Sequence, residues 1–187
     1  MFVVVGLGNP GARYARTRHN VGFRVVDLLR PRLSARSEAS PPDGELLRGR
    51  AGGSDVLLLK PLAWMNRSGP VVSRVLRENG LAPSNLVVVG DDVNLPLGML
   101  RLRLLGGAGG HNGLTSIIEA LESEEFARLR VGVGVEGLSG DLTDFVLGPF
   151  EPGEEKAAEA AIERAAEAVT TFLVHGPGKA MNDFNRS

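Results

Sequence analysis

Residues 6–22 read GLGNPGARYARTRHNVG, and the predicted fold is built around this stretch. An apolar run from Phe2 to Val5 precedes it and predicts a fully buried first strand. A helical pattern follows it, with Val21, Val25, Leu28 and Leu29 on one side. A strand, a tight glycine turn, a polar loop and a helix therefore succeed one another here. α/β proteins usually place their functional residues at such a junction. Other segments of the chain are therefore expected to place their functional residues near this loop.

Strand and helix signals alternate along the rest of the 187-residue chain, which indicates an α/β fold. We expect a single three-layer α/β/α domain over residues 1–187, around a mixed, mostly parallel, twisted sheet, with antiparallel pairing at a Gly52-Gly53 hairpin turn. Later strands are predicted at Glu45–Arg50, Asp55–Lys60, Asn85–Gly90, Met99–Leu104 and Arg128–Val135. Later helices are predicted from an N-cap at Ser68 to Gly80, after Gly113, at Glu151–Val174 and at Lys179–Asn185, and Ser34–Gly44 is predicted to be a surface connection.

Composition excludes several classes of protein. The chain has no cysteine, so it can form neither disulfides nor a cysteine-based metal site, and its three separated histidines disfavour a histidine-rich one. No signal sequence precedes the first strand and no apolar run approaches membrane-spanning length, so we expect a cytoplasmic protein without a membrane partner. The net charge of −1 argues against a generally basic nucleic-acid coat but permits a local basic face.

The segment Gly6-x-Gly8-x-x-Gly11 matches the dinucleotide-binding fingerprint, but its context does not fit. That fingerprint needs a helix that begins at the loop, so that free N–H groups face the pyrophosphate. Pro10 has no N–H, and helical periodicity resumes only at about Thr17. The acidic residue expected about 20 positions further on is Asp27, which lies inside the first predicted helix. A nucleotide-dependent oxidoreductase is therefore disfavoured.

His19 is the first candidate for chemistry, because it lies on the loop rather than on an apolar stripe. A lone histidine is more often structural, and a histidine that acts as a base needs an acceptor for its second ring nitrogen. Asp91, at the end of the predicted Asn85–Gly90 strand, can provide that acceptor. The carboxyl ends of parallel strands gather on one edge of a sheet, so His19 and Asp91 are expected to lie close together.

No serine occupies a nucleophile elbow and cysteine is absent, which disfavours a covalent acyl-enzyme and favours direct attack by water. Such a reaction needs hydrogen-bond donors for the developing oxyanion. Asn9, Asn66 and Asn112 lie on predicted loops that border strands or helices. Each alone is more commonly a turn or cap residue, but the three together are candidates for this role.

The glycine-rich segment Gly106–Gly113 opens a predicted helix, whose N-terminus suits an anion such as a phosphate, although a mobile loop explains the glycines equally well. Arginines on nearby strands and on the first loop are candidates for a basic rim that binds a polyanion, although charged strand faces are usually just solvated. These arginines are Arg13, Arg16, Arg18, Arg101, Arg103, Arg128 and Arg130.

Taken together, these motifs resemble the bacterial peptidyl-tRNA hydrolase family over almost the whole chain. The order and spacing of the motifs make the resemblance specific, whereas no single motif would. They are Gly6-Leu-Gly-Asn-Pro-Gly11, Tyr14, Thr17-Arg-His-Asn20, Met65-Asn-Arg-Ser-Gly69, Asp91-Asp92, Leu95-Pro96, Gly109-Gly-His-Asn-Gly113, Arg128-Leu-Arg-Val-Gly-Val-Gly134 and Phe145-Val-Leu-Gly148.

The resemblance implies hydrolysis of the ester that joins a peptide to the terminal ribose of tRNA, with no cofactor and no metal. It implies that His19 is the base that activates water and that Asp91 holds it in its basic form. It further implies that Asn9 helps to tell a peptidyl group from a free aminoacyl group. Tyr14, Trp64, Asn66 and Asn112 would bind the substrate, peptidyl-tRNA is the implied partner, and a monomer is expected.

Three features depart from the family pattern. Trp64 stands where phenylalanine is usual, Asn94 replaces a common aspartate, and residues 34–49 lack the expected aromatic residues. None of these removes a proposed catalytic residue. The alternative is a non-catalytic RNA-binding protein on the same scaffold, similar to the plastid splicing-factor branch of the family. Retention of His19, Asp91 and Asn9 argues against it, because a pure binder needs none of them.

Overall fold

The computed structural model describes residues 1–135 and 141–185. The strands in these ranges are β1 (Phe2–Gly6), β2 (Arg36–Ser37), β3 (Gly44–Ala51), β4 (Ser54–Pro61), β5 (Leu86–Pro96), β6 (Leu100–Arg103) and β7 (Ala127–Gly134). The helices are α1 (Val21–Arg32), α2 (Ser68–Glu78), α3 (Asn112–Leu121), α4 (Leu142–Leu147), α5 (Glu155–His175) and α6 (Pro177–Phe184). Short 3-10 turns occupy Ala12–Tyr14, Arg18–Asn20, Met65–Arg67 and Pro83–Asn85.

The strands form one mixed sheet in the order β2-β3-β4-β1-β5-β7-β6. The four central strands, β4, β1, β5 and β7, are parallel, because helical crossovers connect them. The β3–β4 hairpin is antiparallel and turns at Gly52-Gly53, which confirms the prediction. Two further antiparallel pairs, β2–β3 and β6–β7, lie at the two edges, so antiparallel pairing extends beyond the predicted hairpin.

Helices cover both faces of the sheet, which confirms the predicted three layers. Side chains of β1 alternate between the layers, as the period of a strand requires. Val4 belongs to the core beneath α1, α5 and α6, whereas Val3 and Val5 belong to the core beneath α2 and α3. In the two described ranges, no helix is both long and apolar enough to cross a bilayer.

Local details differ from the sequence-based prediction in three places. Two residues of the predicted surface connection, Arg36–Ser37, pair with β3 as the short strand β2. Helix α4 was not predicted at all. Ser68 is the first residue of α2 rather than its N-cap, because the turn Met65–Arg67 runs directly into the helix. The Ser68 hydroxyl instead donates to the carbonyl oxygen of Met65 at 2.9 Å.

Strand β5 continues beyond the predicted end at Gly90 and carries Asp91 and Asp92 within it. Gly6, the last residue of β1, pairs with Val89, so Asp91 lies two residues beyond the point where β1 stops. The pairing of β5 with β7 becomes irregular between Asp92 and Pro96. Asp91 is therefore held by a regular strand at a position where the neighbouring strand has already ended.

The glycine motif of the first loop serves helix packing. A Cβ atom on Gly6 would lie 2.2 Å from the carbonyl oxygen of Gly22, so β1 and the first turn of α1 are in backbone contact. The helix begins only at Val21, and Asp27 lies within it, bonded to Lys60 at 2.6 Å. Neither the late start of the helix nor an aspartate inside it fits a pyrophosphate site. The structure thus agrees with the sequence in disfavouring dinucleotide binding.

Candidate active site

A cavity of about 370 Å³ opens beside the carboxyl ends of β1 and the regular part of β5. The glycine-rich loop before α3 forms one side, and Leu142, Val146 and Leu147 of α4 provide an apolar wall. The polar side chains that line the cavity are Asn9, His19, Asn66, Asp91, Asp92, Asn94, His111, Asn112, Arg130 and Thr143. The structure thus brings together most of the residues that sequence analysis selected.

Asp91 is the centre of the site, because two histidines meet its Oδ1 atom. His19 Nδ1 lies 2.7 Å and His111 Nε2 lies 3.0 Å from this oxygen. Burial alone would raise the pKa of Asp91, but the charge and hydrogen bonds of His111 and His19 hold it well below its ordinary value. Asp91 is therefore ionised at neutral pH, and its carboxylate can only accept hydrogen bonds.

The hydrogen bonds assign a tautomer to each histidine. His111 Nδ1 faces the backbone N–H groups of Gly113 at 3.1 Å and Leu114 at 3.4 Å, so this nitrogen is an acceptor. The proton of the neutral His111 ring therefore lies on Nε2 and is donated to Asp91. His19 must also donate to Asp91, from Nδ1, and its Nε2 is left as the nitrogen with a free lone pair. His19 is equipped to be a base, whereas both nitrogens of His111 are engaged.

Asn9 is fixed by a second asparagine. The side chain of Asn20 accepts from the backbone N–H of Asn9 and donates to the Asn9 carbonyl oxygen, both at 2.9 Å. The Asn9 side chain is held in turn, because its Oδ1 accepts from the backbone N–H of Met65 at 2.9 Å. With Oδ1 occupied, Nδ2 is the atom through which Asn9 can donate to a ligand.

Three of the four predicted substrate-binding residues line the cavity and are exposed. Asn66 and Asn112 are exposed and line it from the turn before α2 and from the first position of α3. Trp64 also lines the mouth with 49% of its surface exposed, large for an apolar side chain. Tyr14 does not line the cavity but packs edge-on against Trp64, with ring centroids 6.0 Å apart. Tyr14 therefore contacts the cavity only through Trp64.

Two residues of the site were missed by sequence reasoning. His111 and Asn20 both lie in motifs that were recognised, but neither was given a role. The available signal for His111 was its place just before a helix, where N-cap residues accept hydrogen bonds. Because His111 accepts from Gly113 and Leu114, two N–H groups that a phosphate would need are engaged. The anion site proposed at the start of this helix is therefore not open.

Two arginines of the proposed basic rim are buried and structural. Arg128 is 3% exposed and donates to the carbonyl oxygens of Gly106, Gly107 and Glu124, and burial lowers its pKa. Arg18 is 5% exposed and donates to the Pro149 carbonyl oxygen and the Glu154 carboxylate. Neither can face a polyanion, so the rim is smaller than the sequence suggested.

Other arginines of the predicted rim remain accessible. Arg101 and Arg130 lie opposite each other on β6 and β7, and Arg103 is exposed at the end of β6. Arg130 lines the cavity and pairs with Asp92 at 2.8 Å through Nε. Asn94, one of the departures from the family pattern, donates to Asp92 Oδ1 from its backbone N–H at 2.9 Å. Because this bond comes from the backbone, the identity of the side chain at position 94 leaves it, and the His19–Asp91 pair, untouched.

The three side chains that meet at Asp91 also contain atoms of the kind that bind metals. His19 Nδ1, Asp91 Oδ1 and His111 Nε2 lie within 4.8 Å of one another. A histidine binds a metal through a nitrogen without a proton. In this arrangement both nitrogens carry a proton that is donated to Asp91, and the backbone bonds to His111 Nδ1 prevent its proton from moving there. The three side chains are therefore joined as a hydrogen-bonded triad.

The fold and this site define an α/β protein with a histidine, a buried carboxylate and side-chain amides gathered at one edge of the sheet, an arrangement suited to hydrolysis. The sequence model of the peptidyl-tRNA hydrolase family matches residues 3–187. The chain belongs to the peptidyl-tRNA hydrolase family.

Individual relatives agree with the family assignment. The chain is 47% identical to the peptidyl-tRNA hydrolase of Carboxydothermus hydrogenoformans, over 100% of this chain and 99% of that protein. It is 43% identical to that of Aquifex aeolicus, over 98% and 96%. It is also similar to the crystal structure of peptidyl-tRNA hydrolase from Acinetobacter baumannii, with a TM-score of 0.91, 37% identity and coverage of 99% and 94%.

Proposed function

We propose that this chain hydrolyses the ester between a peptide and the terminal ribose of tRNA, with His19 as the general base. His19 Nε2 takes a proton from water as the water oxygen attacks the ester carbonyl carbon. Asp91 holds the ring through Nδ1 and stabilises the imidazolium that forms. When the carbon–oxygen bond to the ribose breaks, the imidazolium returns the proton to the ribose oxygen. The products are a free peptide carboxylate and a tRNA with its terminal hydroxyl restored.

The side-chain amides supply the donors for this reaction. The Met65 backbone occupies Asn9 Oδ1, which leaves the Nδ2 N–H groups as the donors of Asn9, and the residue lines the cavity together with His19. Asn66 and Asn112 line the same cavity near its mouth. We infer that these amides bind the carbonyl oxygens of the peptide and the oxyanion that develops during attack. They act as neutral donors, so they need no change of protonation during the cycle.

Asn9 is also the residue that we assign to substrate choice. A peptidyl group carries an amide carbonyl on the nitrogen of its last amino acid, and this oxygen can accept from Asn9 Nδ2. A free aminoacyl group presents an ammonium there, which has only donors and leaves the Asn9 N–H groups without an acceptor. Sites built around a specific hydrogen bond reject ligands that lack it, because a buried donor is left unpaired.

The tRNA itself is assigned to the surface around the mouth. Arg101 and Arg103 of β6 add positive charge next to the Arg130–Asp92 pair that lines the cavity, which suits a phosphate backbone. Trp64, supported by Tyr14, offers a flat aromatic face at the mouth, on which the end of the substrate can stack as it enters. We further infer that the protein works in the cytoplasm, as a monomer and without a metal.

The buried His19–Asp91 hydrogen bond carries this proposal, and hydrolysis of an N-acetylated aminoacyl-tRNA tests it. The wild type should cleave the blocked substrate and spare the unblocked aminoacyl-tRNA. His19→Ala should lose about 10²- to 10⁴-fold in kcat with its fold intact, since general bases contribute on that order. His175→Ala is the matched control, because His175 is exposed at the end of α5. Near-full activity in His19→Ala would remove His19 from the mechanism.

A further inference from the structure

We propose that His111 is a positioning residue that acts through Asp91 to keep His19 in its unprotonated, reactive form. The inference rests on the proposed role of His19 as the base. It concerns a residue that does not take a proton itself, because both of its ring nitrogens are engaged. Its effect on the reaction is therefore transmitted through the carboxylate that the two histidines share.

The geometry is a chain of hydrogen bonds that starts at a helix. The first backbone N–H groups of α3, at Gly113 and Leu114, donate to His111 Nδ1. His111 Nε2 donates to Asp91 Oδ1 at 3.0 Å, and His19 Nδ1 donates to that same oxygen at 2.7 Å. The two imidazole rings lie 5.0 Å apart between centroids. The side chains of His111 and Asp91 are 8% and 3% exposed, so water does not replace these bonds.

This chain weakens the attraction of Asp91 for a charged His19. The N-terminus of a helix carries a partial positive charge, and a ring that accepts from it becomes a stronger donor at its other nitrogen. Asp91 Oδ1 therefore receives a strong second donor, and less of its charge is available to stabilise the His19 imidazolium. A helix N-terminus that acts on a histidine is a known way to keep an imidazole neutral. Here the effect passes through two more side chains.

The other charged groups around His19 do not replace this effect. Asp92 lies next to Asp91 on β5, but Arg130 of β7 pairs with it at 2.8 Å. Arg18 precedes His19 in the chain, and its guanidinium is engaged by Glu154 and by the Pro149 carbonyl oxygen. Among the described residues, Asp91 and His111 are thus the titratable groups that approach the His19 ring most directly.

Two substitutions separate the two bonds of His111. An asparagine amide occupies the place of Nδ1, so His111→Asn keeps an acceptor for the start of α3 but does not reach Asp91. A glutamine amide reaches the place of Nε2, so His111→Gln keeps a donor to Asp91 but loses the cap. A purely structural role predicts that the asparagine variant resembles the wild type. A positioning role through Asp91 predicts that the asparagine variant differs from the wild type and that the glutamine variant resembles it more closely.

The measurement is kcat/KM for N-acetylated aminoacyl-tRNA as a function of pH. In His111→Asn the acidic midpoint of the profile should move up by about 0.5 to 1 pH unit, since Asp91 then stabilises the protonated His19 more fully. In His111→Gln the midpoint should lie between those of the wild type and His111→Asn, because the donor to Asp91 is restored but its contact with the start of α3 is lost. An unchanged midpoint in His111→Asn, or equal shifts in both variants, would overturn the proposal.

A second measurement needs neither activity nor a stable variant. Nitrogen NMR of the wild-type histidines should find the proton of neutral His111 on Nε2 and that of neutral His19 on Nδ1, with exposed His175 as an internal reference. A proton on His111 Nδ1 would contradict the proposal even if His19 proves to be the base. If instead His19→Ala stays active while the tautomers are as expected, the proposed mechanism fails and the hydrogen-bond chain stands.

Discussion

Each polar side chain at the bottom of the cavity is held by a partner that is itself held. Asn20 fixes the backbone of Asn9, Met65 fixes its side chain, and the start of α3 fixes His111. Buried polar groups cost free energy unless their hydrogen bonds are satisfied, so each additional partner also restricts the rotamers of the others. The atoms to which we assign reaction and substrate choice, His19 Nε2 and Asn9 Nδ2, are the ends of these networks, and both residues line the cavity. The site is therefore pre-organised before tRNA binds.

At the level of single residues, the low pKa of Asp91 predicts how stability depends on pH. A carboxyl group whose pKa is lowered by folding stabilises the protein above its unfolded pKa of about 3.9. This contribution is lost as pH falls below about 4 toward the pKa of the folded protein. Asp91→Asn should lower the free energy of unfolding by about 2 kcal/mol at pH 7, since two bonds to an ionised acceptor are weakened.

The measurement is urea unfolding of the wild type and Asp91→Asn between about pH 3 and 8. The difference in unfolding free energy should be present near neutrality and shrink as the solution is acidified below about pH 4. Asp144→Asn is a suitable control, because its side chain is exposed at the surface of α4, away from the histidines. A difference that fails to shrink below about pH 4 would mean that Asp91 is not the ionised partner of the histidines.

At the level of elements, α2 and α3 approach each other so closely that a glycine is required between them. A Cβ atom on Gly69 would lie 1.9 Å from the carbonyl oxygen of Ser116, and the Gly69 N–H donates to Ser116 Oγ at 3.0 Å. The turn that carries Asn66 leads into α2, and Asn112 is the first residue of α3. The contact between the two helices therefore fixes the distance between two proposed substrate-binding amides.

Gly69→Ala should accordingly affect both stability and turnover. We expect a loss of about 1 to 3 kcal/mol in unfolding free energy, as in other overpacked cores, together with a higher KM for the blocked substrate. Thermal unfolding and steady-state kinetics measure the two effects. Gly178→Ala is the control, because a Cβ atom there would have no neighbour within 4 Å and alanine favours its helix α6. Equal behaviour of the two variants would show that the helices can separate without cost.

At the level of the whole molecule, period and topology made much of the structure predictable. Buried apolar runs identified the central strands, and the Gly52-Gly53 turn identified the β3–β4 hairpin. The meeting of His19 and Asp91 followed from the rule that parallel strands end on one edge. Short elements were missed for a physical reason: the two residues of β2 and the six of α4 are too few for a period to emerge.

Other features depend on contacts that sequence spacing does not contain. Arg128 alternates with apolar residues just as Arg130 does. In the structure, however, Arg128 donates to backbone carbonyl oxygens of a loop more than twenty residues earlier in the chain. In the sequence, His111 is likewise only one of several loop residues. Its contact with Asp91 of β5 depends on tertiary structure. Charge and residue type were visible in the sequence. Which polar groups were buried and satisfied was decided by tertiary packing.

The outer edge of the sheet yields a prediction about the state of association. Strand β6 is an edge strand, and an unpaired edge invites pairing with another chain. The side chain of Asn185, just after α6, accepts from the Leu102 N–H at 2.7 Å and donates to the Leu102 carbonyl oxygen at 3.1 Å. One amide thus occupies both backbone groups of Leu102, as a neighbouring strand would. This protection supports the proposal that the protein is a monomer.

Asn185→Ala should therefore expose the edge and promote self-association as protein concentration rises. Sedimentation velocity over about a hundredfold range of concentration measures it, since edge pairing is a mass-action effect. Asn79→Ala is the matched control, because it removes one side-chain bond to a backbone carbonyl at the end of α2, at 2.8 Å, without exposing a strand. If Asn185→Ala stays monomeric at all concentrations while its unfolding free energy falls by about 1 kcal/mol, as in the control, Asn185 only anchors α6 to the sheet. If only Asn185→Ala associates, the Asn185 side chain is what prevents β6 from pairing with a strand of another molecule.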